Sequence, residues 1–143
     1  MRKTIILLAT LFLAAVTYAN GGYTIKVKLT NFDQKEIYLG YHYGDKQYLR
    51  DTAVIDANGD FVFAGEETLP GGVYLVVMPP DNQYFQILVN EGQQNFSVTT
   101  DAKDPVTGFK VEDSPDNALL YEYLNYLNKK RPEADDLRAK IEA

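Results

Sequence analysis

The sequence predicts a mainly β domain: an antiparallel β-sandwich or partly open barrel of about eight short strands, followed by one or two C-terminal helices. Three observations carry that prediction. Short runs with alternating or continuous apolar character recur at near-regular intervals from Tyr23 to Glu112. Clusters of Gly, Pro, Asn and Asp separate them. Helical spacing takes over only after Ser114, so no helix interrupts the strands and a parallel βαβ fold is disfavoured.

Tyr23 to Thr30 alternates cleanly, with Tyr23, Ile25, Val27 and Leu29 on one face and Thr24, Lys26, Lys28 and Thr30 on the other, as a half-buried strand requires. Ile37 to Tyr43 repeats the pattern, with Ile37, Leu39, Tyr41 and Tyr43 expected inward. Tyr48 to Asp56 and Phe61 to Gly65 follow as two strands folded about Asn58-Gly59, a pair suited to the positive φ of the primed hairpin turns. Asn58 and Gly59 are therefore assigned as a structural turn. Val73 to Met78 is almost wholly apolar, as a strand covered on both faces would be. Tyr84 to Val89, Asn95 to Thr100 and Phe109 to Glu112 complete the set.

At Ser114 a helix begins. Ser114 is expected as its N-cap, Pro115 suits the first helical position, and Asp116 complements the positive end of the dipole. Leu120, Tyr123, Leu124 and Leu127 fall at helical spacing, and Lys129-Lys130-Arg131 supplies positive charge before Pro132. Pro132 is expected to end this helix and to start a second, from Glu133 to Ala143, with Leu137 and Ile141 one turn apart.

The chain opens with Met1-Arg2-Lys3, an apolar run from Ile5 to Val16, and small residues before Asn20. That is the form of a secretory signal peptide, and the run is far shorter than the roughly 20 residues of a membrane span. The expected organisation is thus a signal peptide at 1–19, a β-sandwich domain at 20–113 and a helical connector at 114–143. The expected location is exported, in the periplasm or cell envelope, with no membrane attachment after cleavage. Cleavage would remove Arg2 and Lys3 and no acidic residue, leaving a chain more acidic than the formal −6 of the whole, which argues against nucleic acid as a partner. With no cysteine, the chain has neither disulfides nor thiol chemistry of its own, and its stability must come from a core.

Catalytic patterns do not emerge. There is one histidine, His42, where a zinc site needs several His or Cys ligands, and it reads as a surface or packing residue. Asp56, Asn58 and Asp60 faintly suggest a calcium loop, but the glycine comes too early and the bidentate glutamate is missing, so turn chemistry accounts for them. No catalytic residue, metal site or cofactor is expected. The 11 tyrosines are the compositional oddity. Strand propensity and core filling explain most of them. Tyr38, Tyr121 and Tyr126 are the candidate partner or ligand contacts, the helical pair because tyrosines at 121, 123 and 126 give that helix a second apolar side.

The run from Asp51 to Gly65, then Gly72-Val-Tyr-Leu75, then Asn90-Glu-Gly92 and Asp113-Ser-Pro-Asp-Asn117, resembles the domain of unknown function that precedes thioredoxin-like or peroxiredoxin-like domains in exported proteins of Gram-negative bacteria. The resemblance covers Gly22 to about Arg131. It implies a β-rich N-terminal module, a helical connector and a following thiol-disulfide domain. Relatives typically carry Gly-Ser where this chain has Asp113-Ser114, so the capping serine is kept and the flexible residue is not. Asp51-Thr52-Ala53 also resembles the acceptor pattern of a periplasmic O-glycosylation system, which makes Thr52 a candidate modification site.

The expected function is that of a non-catalytic adaptor, interaction or dimerisation module of a thioredoxin-like thiol-disulfide system. Its partner would be a following thioredoxin-like domain, another protein or a second copy of the chain. The alternative is a glycan- or peptide-binding module using surface tyrosines. It requires three or more of Tyr38, Tyr41, Tyr43, Tyr74 and Tyr84 to lie exposed on one concave face.

Overall fold

The computed structural model describes residues 21–143. The expected signal peptide, residues 1–19, lies outside the described residues. The elements in chain order are β1 (Tyr23–Thr30), β2 (Glu36–Tyr43), β3 (Lys46–Val54), β4 (Phe61–Gly65), β5 (Gly72–Met78), β6 (Gln83–Val89), β7 (Asn95–Asp101), β8 (Lys110–Glu112) and α1 (Pro115–Glu142). They form two four-stranded sheets, ordered β4-β1-β7-β8 and β3-β2-β5-β6. The architecture is therefore a mainly β, two-layer fold that does not close into a barrel.

Alternation places the core as expected. Ile25, Val27, Phe61, Phe63 and Val98 of the first sheet meet Ile37, Leu39, Val76 and Ile87 of the second, all essentially inaccessible to water. Burying each contributes about 1.5–3 kcal/mol before the cost of ordering the chain. Outward on β1, Lys26 and Lys28 flank the half-buried Asp60 at 3.9 and 3.8 Å, long pairs whose lysines are solvated and which add little. The two layers are also tied by Tyr23 of β1, whose hydroxyl donates to Asp51 Oδ2 of β3 at 2.8 Å. Its ring lies so close over Gly65 that a Cβ there would sit 2.6 Å from it.

The antiparallel expectation holds for all but one strand pair, and four other expectations need correction. Pairing is not wholly antiparallel: β1 runs parallel to β7, from Thr24↔Asn95 to Thr30↔Asp101, because the chain crosses through the second sheet before returning. The Asn58-Gly59 turn does not make a hairpin. β3 belongs to one sheet and β4 to the other, so the turn is a corner between layers. Asp56 organises it, its carboxylate accepting the N–H groups of Asn58 at 2.8 Å and Asp60 at 3.0 Å. Only Gly59 takes a positive φ, 80°, so the primed hairpin geometry does not arise.

Strand β3 starts at Lys46 and stops at Val54, earlier at both ends than the apolar pattern implies, and a bulge interrupts its register opposite Leu39 and Gly40. Tyr43 is 76% exposed, not inward, because β2 outlasts its pairing with β5, which ends at Tyr41↔Tyr74. Finally, Pro132 does not end the helix, so of the one or two C-terminal helices expected there is one. α1 runs for 28 residues straight through Pro132. The carbonyl that the missing N–H would have served belongs to Asn128, which is exposed, so water can take its place. Among the described residues, no helix is long and apolar enough to cross a membrane.

Candidate functional site

The most developed feature outside the core is the joint between α1 and β6. β6 is an edge strand, and an open edge exposes unpaired backbone groups. Asn117, in the first turn of α1 and wholly buried, meets that edge. Its Oδ1 accepts the Leu88 N–H at 2.7 Å, and its Nδ2 donates to the Leu88 carbonyl at 2.8 Å. A side-chain amide thus pairs with the edge as a neighbouring strand would. One turn on, Tyr121 donates its hydroxyl to the Gln86 carbonyl at 2.7 Å, and its ring stacks parallel on Phe109. Burial pushes the Tyr121 phenol well above its usual range, so it remains a neutral donor.

The helix start is held by a network and not by a simple cap. Ser114 occupies the N-cap position, but its side chain makes no capping bond to the helix backbone. Its hydroxyl donates to Gln93 Oε1 at 2.7 Å and accepts from Asn117 Nδ2 at 2.8 Å. Gln93 supplies the cap in its place, its Oε1 accepting the Asp116 N–H at 3.1 Å. Asp113, just before, has φ of 63°, a left-handed conformation that glycine adopts most readily. Gln94 repeats the amide device elsewhere, accepting the Leu69 N–H at 2.8 Å and donating to the Leu69 carbonyl at 3.0 Å.

Beyond this joint α1 leaves the domain. Asn117, Leu120, Tyr121, Leu124 and Asn125 are its buried or half-buried residues, and every residue from Tyr126 onward is exposed. Leu119 is 67% and Ile141 83% exposed, and Tyr123, Tyr126, Leu127 and Leu137 also face solvent. Of the candidate contact residues on this helix, Tyr126 is thus available. Tyr121 is a correction: at 3% exposure it faces inward, because its hydroxyl satisfies the β6 edge.

Tyr38 lies elsewhere, on the outer face of the second sheet, half-buried and donating to Glu36 Oε1, which raises its pKa. It borders a groove of about 450 Å³ with Gly40, Leu49, Leu75, Val77 and Tyr84. Thr52 is exposed and pairs with Tyr38 across β2 and β3. Tyr41, Tyr43 and Tyr74 gather instead at one end of the sandwich, around a cleft of about 380 Å³ shared with His42 and Arg50. Of the five tyrosines that a ligand face would need, only Tyr43 and Tyr84 are well exposed, and they border different cavities. Among the described residues no cluster of three His, Asp or Glu side chains could hold a metal ion.

Sequence reasoning missed Asn117, Gln93 and Gln94. One signal was available: Asn117 stands four residues before Tyr121, a polar residue on the packing face of a helix.

Fold and joint together define a two-sheet β domain sealed along one edge by a helix whose far part is free. The chain belongs to the family described as Domain of unknown function (DUF4369), which it matches over residues 23–120. That span takes in Asn117 and stops before the exposed part of α1. Neither a curated protein nor a solved structure matches the chain.

Proposed function

We propose that the chain is a non-catalytic, exported β domain that serves as an adaptor, interaction or dimerisation module of a periplasmic thioredoxin-like thiol-disulfide system. One observation carries this reading. α1 is fixed to the sandwich over about three turns, and its apolar side chains Leu119, on the outer side of that stretch, and Tyr126 and Leu137, beyond it, are exposed among the described residues. Exposed leucine and tyrosine on a rigidly anchored helix are what a protein partner would cover. The thioredoxin-like identity of that partner rests on the order of residues from Asp51 to Asn117.

The test is titration of the chain with a periplasmic thioredoxin-like protein, followed by calorimetry and by disulfide reductase turnover. Association is expected, with no reductase activity from the chain itself. Leu119→Lys with Tyr126→Lys should weaken association at least tenfold while leaving the far-ultraviolet spectrum unchanged. Absence of binding, or reductase activity in the chain alone, would sink the reading.

The alternative, glycan or peptide binding through surface tyrosines, does not meet its own requirement, since only Tyr43 and Tyr84 of the five are well exposed and they border different cavities.

A further inference from the structure

We infer that the free part of α1 pairs antiparallel with the same helix of a second copy, on a two-fold axis beside Pro132. The inference deepens the proposed interaction role and rests on it.

Four features point to this partner. First, Tyr123, Leu127, Lys130, Ala134, Leu137 and Ile141 recur at alternating intervals of four and three residues, the spacing of a coiled-coil seam, and all six are exposed. Second, the seam is its own mirror in sequence. Read outward from Pro132, Lys130 and Ala134 lie two residues away, Leu127 and Leu137 five, Tyr123 and Ile141 nine. An antiparallel copy therefore sets Leu127 level with Leu137, Tyr123 with Ile141, and Lys130 with Ala134, whose small side chain leaves room for the lysine stem to reach water. Sliding one helix by a heptad in either direction would set Lys130 against Leu127 or Ile141, so this layer favours the stated alignment.

Third, charge decides direction. Lys129, Lys130 and Arg131 precede Pro132, whereas Glu133, Asp135 and Asp136 follow it. Antiparallel pairing brings the basic segment of each copy level with the acidic segment of the other, and parallel pairing would oppose like charges. Fourth, Pro132 falls on the side of the helix opposite the seam, where its missing N–H obstructs nothing. A helix of this length, unsupported and containing a proline, is marginal in water, and a partner helix supplies the support the domain does not.

The absence of cysteine makes the test direct. Two copies of the full chain, one carrying a tag that distinguishes it by size, carry Leu127→Cys and Leu137→Cys respectively, and are air-oxidised first separately and then as a mixture. In the inferred dimer position 127 of one copy meets position 137 of the other, while identical positions stand about 15 Å apart along the axis, too far for a disulfide. The expected result is a mixed disulfide and no self-linked product, with Leu127→Lys converting a dimer seen by sedimentation equilibrium into a monomer. Self-linking of each variant, which marks a parallel pair, overturns the inference. So does a monomer at concentrations up to about 1 mM. No thioredoxin-like protein is present, so a monomer that still binds that partner defeats the dimer alone, and a dimer that ignores the partner defeats the adaptor role alone.

Discussion

Asn117 and Leu88 exchange two hydrogen bonds, at 2.7 and 2.8 Å, so that one side-chain amide on a helix completes the backbone pairing of an edge strand. The relationship fixes where α1 starts and closes the β6 edge against strand addition. Asn117→Leu fills the space but strands the Leu88 N–H and carbonyl, and should destabilise the domain by about 2–4 kcal/mol. Urea unfolding gives the magnitude, and faster amide exchange at Leu88 locates the cause. An unchanged Leu88 exchange rate would mean the joint does not hold the edge.

Asp113 sits at φ of 63°, where an L-residue with a Cβ is mildly strained. Asp113→Gly should therefore stabilise the domain by roughly 0.5 kcal/mol, and Asp113→Val should destabilise it by about 1–2 kcal/mol. Thermal unfolding of the two variants reads both signs.

Acid stability should depend on Asp56 and Asp104. Backbone N–H groups of Asp60 and Asn58 hold the Asp56 carboxyl below its ordinary value of 3.8, and Thr107 does the same for Asp104. Each has a lower pKa folded than unfolded, so its contribution is present above the ordinary value and is lost as pH falls through the folded one. Asp56→Asn should flatten the decline in stability below about pH 4, as followed by denaturant titrations at stepped pH.

Tyr23 makes the opposite case at the alkaline end. Burial, reinforced by its bond to Asp51, pushes its phenol up to about 12. Its contribution is complete below the ordinary value of 10.0 and disappears as pH rises through the folded value. Tyr23→Phe should cost about 1–2 kcal/mol at neutral pH, because a bond to a carboxylate is lost across the two sheets. It should also reduce the loss of stability between pH 10 and 12, read by tyrosinate absorbance alongside unfolding.

Legibility in the sequence followed the range of the physics. Alternation alone marks Ile25, Val27, Ile37 and Leu39 as inward, and they lie in the core, since period two is a local property of a half-buried strand. Strand partnership was not legible. Asn58-Gly59 marks a turn whether the strands it joins pair or part, and Asp56 bonding is compatible with both. Pro132 is read locally as a stop, yet a solvated Asn128 carbonyl lets the helix continue. Tyr121 could be placed on a helical face, but which face meets the domain depended on Asn117 finding Leu88, a contact 29 residues away in sequence.

The proposed role needs α1 anchored at its base and open to a partner beyond it, and amide hydrogen exchange along the helix in a dilute sample reads both. Slow exchange is expected from Ala118 to Asn125 and fast exchange from Tyr126 to Glu142, with protection spreading to the second stretch on concentration or on adding the thioredoxin-like partner. Uniform protection of the whole helix at high dilution, or a distal stretch that stays fast under both conditions, would contradict it.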